Sequence, residues 1–231
     1  MIFTRFEPLI GAQNLNRLNQ CHVLVVGCGG VGSFAIEALA RSGIGALTII
    51  DDDRIEITNI NRQLMALHST LNQRKVDVLK HRILDINPAC KVTTHAIRFT
   101  AETSDIFAQE PFDFIVDAID QVKDKIDLIA MALKSQTPII SVMGQGNRLD
   151  PSQLTIKELQ KTTYDRLARA VRLGLRKRHL TGKIPVVISE TNALDIPRDT
   201  PFVCSSAFVP SSAGLLASSY VVQRLIEVIK A

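Results

Sequence analysis

Six residues, Gly27-Cys28-Gly29-Gly30-Val31-Gly32, join an apolar run, His22-Val23-Leu24-Val25-Val26, to an amphipathic stretch from Ser33 to Arg41. Glycine at four of six positions suits a backbone that turns sharply and lets another group come close. A strand feeding a helix through such a loop offers free N–H groups and the positive end of a helix dipole to an anion. The next apolar run, Leu47-Thr48-Ile49-Ile50, ends at Asp51, where a carboxylate accepts hydrogen bonds from ribose hydroxyls. Strand, glycine loop, helix, strand and acid, in that order, mark a nucleotide-binding unit. Gly27, Gly29, Gly30, Gly32 and Asp51 are its candidate ligand-binding residues.

The pattern continues along the chain. A helix is expected over Lys75–Ile86, stopped by Asn87-Pro88, and another over Val122–Leu133. Strands are expected over Lys91–Ala96, Phe112–Val116 and Ile139–Met143. Apolar strands alternating with helices predict a mainly parallel sheet covered on both faces, a doubly wound, Rossmann-like α/β fold. After Gly144-Gln145-Gly146 the order changes to an edge strand at Leu154–Lys157, a basic helix over Asp165–Arg178 and a strand at Ile184–Ser189. A surface loop follows at Asp195–Pro201, then a final helix capped by Ser211 or Ser212 and reaching Lys230. With 231 residues, 46% of them hydrophobic, and no linker rich enough to cut it, the chain reads as one domain. Residues 1–145 form a nucleotide-binding core, and residues 146–231 a C-terminal α/β elaboration facing the substrate.

Several function classes are disfavoured. Cys21, Cys28, Cys90 and Cys204 form no Cys-x-x-Cys pair, which argues against a paired zinc site and a disulfide framework. The segment Phe202–Ile226 is apolar but holds Pro210 and six serines, so it reads as a loop feeding a buried helix, not a membrane span. No apolar signal core opens the sequence, and a cytoplasmic location without membrane contact is the expectation.

The glycine loop alone suits either a dinucleotide or ATP; later residues decide. Asn59 and Arg62, in Thr58-Asn59-Ile60-Asn61-Arg62-Gln63, fall beyond the strands' carboxyl ends, where ligands bind in such sheets. Lys75 opens a helix and can reach a phosphate. Asp120, past the strand that ends in Asp117-Ala118-Ile119-Asp120, could hold Mg²⁺ while phosphates supply other ligands, or could merely cap the following helix.

Taken together, Gly-x-Gly-Gly-x-Gly, Asp51-Asp52-Asp53, Asn59-x-Asn61-Arg62-Gln63, Lys75 and Asp117-x-x-Asp120 resemble the ATP-binding domain of the ThiF/MoeB/HesA superfamily of adenylating enzymes, over roughly residues 5 to 145. The resemblance implies adenylation of a carboxylate with ATP and Mg²⁺ in a homodimer. By motif, Gly30 lies against the nucleotide and Asp51 holds the ribose. Asn59 and Arg62 contact phosphates, Lys75 steadies the transferring phosphate, and Asp120 binds Mg²⁺; Arg62, Lys75 and Asp120 are the catalytic candidates.

Within the superfamily, Arg5-Phe6, Ile86-Asn87-Pro88, Asp165-x-Leu167-Ala168 and Cys204-Ser205-Ser206-Ala207-Phe208-Val209-Pro210 are most similar to the tRNA threonylcarbamoyladenosine dehydratase branch. The implied reaction adenylates the substrate's free carboxylate and then closes a ring, with net loss of water and no enzyme thiol. Where relatives carry a second N-terminal arginine that reaches into the partner's site, this chain has Glu7-Pro8-Leu9-Ile10, leaving Arg17 as a distant substitute. Independent of resemblance, residues 161–183 hold eight lysines and arginines against the single acid Asp165. Arg166, Arg169, Arg172 and Arg176 share one arc of a helix, a stripe that suits either a tRNA backbone or a solvated surface, with Leu167, Val171, Leu173 and Leu175 facing the body. Cys204 stays open between a nucleophile and an inert, buried cysteine, and Cys28 is read as present for its small size. Two alternatives stay open. One is activation of a small carrier protein for sulfur transfer; a sulfur-transfer protein partner stays open on either reading. The other is a nicotinamide-dependent oxidoreductase or an inactive nucleotide-binding module.

Overall fold

The computed structural model describes residues 2–108 and 110–227. Two short helices, α1 (Glu7–Ile10) and α2 (Ala12–Leu18), precede the strand–loop–helix unit β1 (His22–Val26) and α3 (Gly32–Arg41). Then come β2 (Ala46–Ile50), α4 (Lys75–Ile86), β3 (Lys91–His95), α5 (Ala101–Ala108), β4 (Phe114–Asp117), α6 (Val122–Ser135) and β5 (Ile139–Val142). The C-terminal part holds β6 (Leu154–Glu158), α7 (Arg166–Lys177), β7 (Pro185–Ser189) and α8 (Phe208–Glu227).

All seven strands form one sheet in the order β3-β2-β1-β4-β5-β7-β6, parallel except for β6, which pairs antiparallel with β7. The chain moves outward in one direction from β1 to β3 and in the other from β4 onward. The carboxyl ends of β1 and β4 therefore open a crevice at the switch point. The four described residues of β4 and all four of β5 are buried, as expected of strands covered on both faces. Two apolar clusters sandwich the sheet. One includes Val23, Val25, Ile36 and Leu39 with Ala217 and Val221 of α8; the other includes Leu24, Ile115, Ile126, Ile129, Val171 and Leu175. Residues of the C-terminal part contribute to both clusters.

Three expectations are corrected. β4 starts at Phe114, not Phe112: Asp113 lies outside the strand, its carboxylate accepting the His22 N–H at 2.7 Å. The final helix starts at Phe208, so Ser211 and Ser212 lie inside it rather than cap it. Pro210 fits the first turn, where its missing N–H would have had no intrahelical partner. The Ser211 hydroxyl instead donates back to the Phe208 carbonyl at 3.0 Å. Lys230, the expected end of that helix, lies outside the described residues. Leu173 is 51% exposed, because Ala168, Val171 and Leu175 already form the buried stripe of α7 and position 173 falls on the opposite side. The helices α1, α2 and α5 were not legible as elements.

Candidate active site

A cavity of about 660 Å³ opens at the carboxyl edge of the sheet, over the crevice. Its floor is the glycine loop. Gly27 has φ +92°, and a side chain there would meet the Ala118 carbonyl oxygen at 2.6 Å. A Cβ on Gly32 would sit 1.7 Å from the Gly27 carbonyl oxygen, so the two ends of the loop touch and only glycine closes the turn. Gly29 is different: a Cβ there would meet nothing nearer than the Gln63 Nε2 at 3.9 Å, leaving room over the loop.

Asp51 clasps this loop. Its Oδ2 accepts the Cys28 N–H at 2.6 Å and its Oδ1 the Asp53 N–H at 2.9 Å. Burial pushes its carboxyl above the ordinary range, opposed by Lys75 and by those two N–H groups. Burial also pushes the Cys28 thiol well up, with Asp51 adding to the shift, so this cysteine is a small buried filler rather than a nucleophile. Lys75, 4% exposed at the start of α4, points its ammonium along the same wall, 2.6 Å from Asp53 and 3.9 Å from Asp51.

Asn59 and Arg62 reach the cavity from the segment after β2. The Asn59 Oδ1 accepts the Glu56 N–H at 3.1 Å, and its amide nitrogen donates to the Thr58 hydroxyl at 3.5 Å. Arg62 is half-buried and donates to the Thr58 carbonyl at 2.7 Å and to the Asn61 Oδ1 at 3.1 Å, holding the short turn that carries both. Asn61 donates to the Ser205 carbonyl at 3.0 Å, tying this turn to the segment before α8. Asp120 lies exposed on the cavity's rim, with no hydrogen bond or ion pair among the described residues. It does not cap α6: the cap position is Gln121, and no side chain fills that role.

Gly27, Gly29, Gly30, Asp51, Asn59, Arg62, Lys75 and Asp120 all line this one cavity, whereas Gly32 serves it from behind by closing the turn. Sequence reasoning gave no role to several other residues there. Gln63 and Gln145 also line the cavity, and their side-chain oxygens are buried without a partner among the described residues. The Arg98 Nε donates to the nearly buried Asp124 at 2.7 Å on the rim. Behind the wall, Lys125 and Asp117 pair at 2.9 Å, both fully buried. The available signal for that pair was a lysine within an otherwise apolar helix face.

The basic stripe divides. Arg166, Arg169 and Arg176 are exposed on α7. Arg172 turns inward, against the expectation, and donates to the carbonyls of Leu159 at 3.1 Å and Thr162 at 2.8 Å. The chain just before α7 otherwise leaves the Thr162 carbonyl without a described donor. Arg17 is likewise engaged within its own chain, donating to the Leu225 carbonyl at 2.5 Å. Cys204 is half-buried, and its backbone is pinned on both sides by Asn147, at 2.8 and 2.7 Å.

The model of the ThiF family matches residues 4–227. A tRNA threonylcarbamoyladenosine dehydratase of Bacillus subtilis is 41% identical over 240 residues, covering 97% of this chain and 94% of that protein. One from Escherichia coli is 37% identical, covering 85% of this chain and 76% of its own length. Crystal structures of the E. coli tRNA N6-threonylcarbamoyladenosine dehydratase with ATP and with AMP each superpose with a TM-score of 0.91 at 33% identity, over 97% of this chain and 93% of that one.

Proposed function

Because the chain belongs to the ThiF family, we propose that it catalyses the ATP-dependent dehydration of threonylcarbamoyladenosine in tRNA through adenylation of the substrate's carboxylate. The observation that carries this reading is the single cavity that gathers the glycine loop, Asp51, Asn59, Arg62, Lys75 and Asp120. Relatives named for this reaction, one crystallised with ATP and with AMP, support it.

In this reading the glycine loop and the start of α3 cradle the α-phosphate, and Asp51 holds the ribose. Asn59 and Arg62 steady the outer phosphates from the turn that Thr58 and Asn61 brace. Lys75, released from Asp53, neutralises charge that develops as the substrate carboxylate attacks the α-phosphorus and pyrophosphate leaves. Asp120 suits Mg²⁺ because it is an exposed carboxylate on the cavity's rim with no hydrogen bond or ion pair among the described residues. The ion supplies charge neutralisation on the phosphates when bound. The chain's contribution is positioning and electrostatics. Ring closure within the modified base then releases AMP without an enzyme thiol, consistent with a pinned Cys204 and a buried Cys28.

The tRNA is held, on this reading, by Arg166, Arg169 and Arg176, with Arg172 withdrawn from the stripe. A homodimer, a cytoplasmic location and a sulfur-transfer protein partner belong to the same reading. Among the described residues no helix is long and apolar enough to cross a membrane. Light scattering at micromolar concentration tests the dimer, and affinity capture with a purified sulfur-transfer protein tests that partner. The decisive experiment is incubation with ATP, Mg²⁺ and threonylcarbamoyladenosine-bearing tRNA, followed by nucleoside mass analysis. A product lighter by one water is expected. Unchanged tRNA beside adenylation of a Gly-Gly-ended carrier protein would refute the reading.

A further inference from the structure

We propose that Lys125 is a positioning residue for the nucleotide site: its buried ion pair with Asp117 fixes the turn that presents Asp120. Lys125 is fully buried and cannot touch a ligand in the cavity. It lies in the first turns of α6, and its ammonium donates to the Asp117 Oδ2 at 2.9 Å, the Ser141 Oγ at 3.2 Å and the Val142 carbonyl at 3.0 Å. All three of its hydrogens are spent. Asp117 is equally engaged. Its Oδ2 also accepts the Ser141 hydroxyl at 2.5 Å, and its Oδ1 accepts the Ile119 N–H at 3.1 Å.

These contacts join three segments that end at the cavity wall: the end of β4, the end of β5 and the start of α6. The Ile119 bond is the direct link, because Ile119 sits within the turn Ala118-Ile119-Asp120. The same turn is tied to β1 by the Ala118 N–H on the Val26 carbonyl at 2.9 Å, and it abuts Gly27. An apolar pair of the same volume would fill the space without fixing a direction. Buried ion pairs seldom stabilise a fold more than apolar residues would, so what this pair supplies is placement. Asp120 has no other anchor among the described residues, and its aim follows from the turn beneath it.

The inference rests on the reading of the cavity as a Mg²⁺–ATP site, and the test separates the two. ATP affinity is measured by calorimetry in EDTA and in saturating Mg²⁺; the ratio is the Mg²⁺-dependent gain. Lys125→Met alone would strand the Asp117 carboxylate, so it is combined with Asp117→Asn to keep the site neutral. The double variant is expected to melt cooperatively and to bind ATP in EDTA as the wild type does. Its Mg²⁺-dependent gain should fall by about 10-fold or more, the range seen when groups behind a metal ligand are removed. Ser141→Ala, which keeps both charges, should fold normally and lose about threefold of the gain, the effect of one hydrogen bond. An unchanged gain in Ser141→Ala, or in a folded double variant, overturns the proposal. So does an equal loss of ATP affinity with and without Mg²⁺. A wild-type protein that binds ATP with no Mg²⁺-dependent gain instead refutes the metal reading on which the proposal stands.

Discussion

Arg172 offers the sharpest separation of structural from functional charge. Its guanidinium is the described donor to the Thr162 carbonyl, at 2.8 Å, in a residue only 5% exposed. The Leu159 carbonyl, its other backbone acceptor, keeps the Thr162 N–H at 3.3 Å and the Thr162 hydroxyl at 2.8 Å. Arg172→Ala therefore orphans one buried acceptor, which costs about 1–3 kcal/mol, and strips the packing of the arginine stem. A total near 2–3 kcal/mol corresponds to a fall of roughly 4–12 °C in Tm for a chain of this size. Arg166→Ala, Arg169→Ala and Arg176→Ala remove exposed side chains and should each stay within about 0.5 kcal/mol of the parent. Binding to tRNA should behave the opposite way. Reversing Arg166, Arg169 and Arg176 to glutamate should weaken binding strongly and flatten the log–log salt slope by about 0.7–0.9 per lost phosphate contact. Arg172→Ala should leave both affinity and slope unchanged at temperatures where it is folded. The assays are thermal melts followed by circular dichroism, and fluorescence anisotropy with labelled tRNA between 50 and 200 mM salt, a range over which phosphate contacts register strongly. If Arg172→Ala melts with the wild type and loses tRNA affinity, the inward assignment is refuted.

Other outcomes follow from the same geometry. Asp120→Ala should abolish ATP–pyrophosphate exchange with substrate tRNA while its melting curve matches the wild type; near-normal exchange would remove Asp120 from the mechanism. Gly29→Ala should fold, because its Cβ meets nothing closer than 3.9 Å, yet weaken ATP binding by filling the cradle, whereas Gly32→Ala, with a Cβ 1.7 Å from the Gly27 carbonyl oxygen, should lose soluble protein. Calorimetry with ATP on the first and expression yield on the second check the pair. Glu37 pairs with Arg41 one turn on within α3 and with Arg82 across to α4, each at 2.7 Å. Burial works to raise its carboxyl, but the hydrogen bonds from Arg82 and Arg41 outweigh it and hold the value below the ordinary 4.5. Its contribution, about 1 kcal/mol for partly exposed partners, is present above that value and lost as pH falls through the depressed one. Urea denaturation of Glu37→Gln should differ from the wild type at neutral pH and converge with it in acid.

The nucleotide end of this protein was legible in the sequence because its determinants are local. The glycine loop, the strand runs around it and Asp51 follow one another within 30 residues, and backbone sterics and hydrophobic periodicity act over that distance. Asp120 was legible for a related reason: the parallel strands' carboxyl ends face one edge, so residues just past those ends meet, whereas Lys75, which opens α4, was legible through its place in the motif series. Other features were decided only by the folded chain. Arg172 and Arg169 occupy one arc of α7, and periodicity cannot distinguish them; the turn at Leu159–Thr162 does, by offering carbonyls to Arg172 while Arg169 stays exposed. The start of α8 escaped prediction because serines also bond back within helices, as Ser211 does. Lys125 drew no role from the sequence, where it is one of several charges in the first half of α6. Only the packing of α6 against the ends of β4 and β5 brings Asp117, Ser141 and the Val142 carbonyl around its ammonium. A buried polar group is tolerated when partners distant in sequence satisfy it, and those partners meet only through tertiary structure.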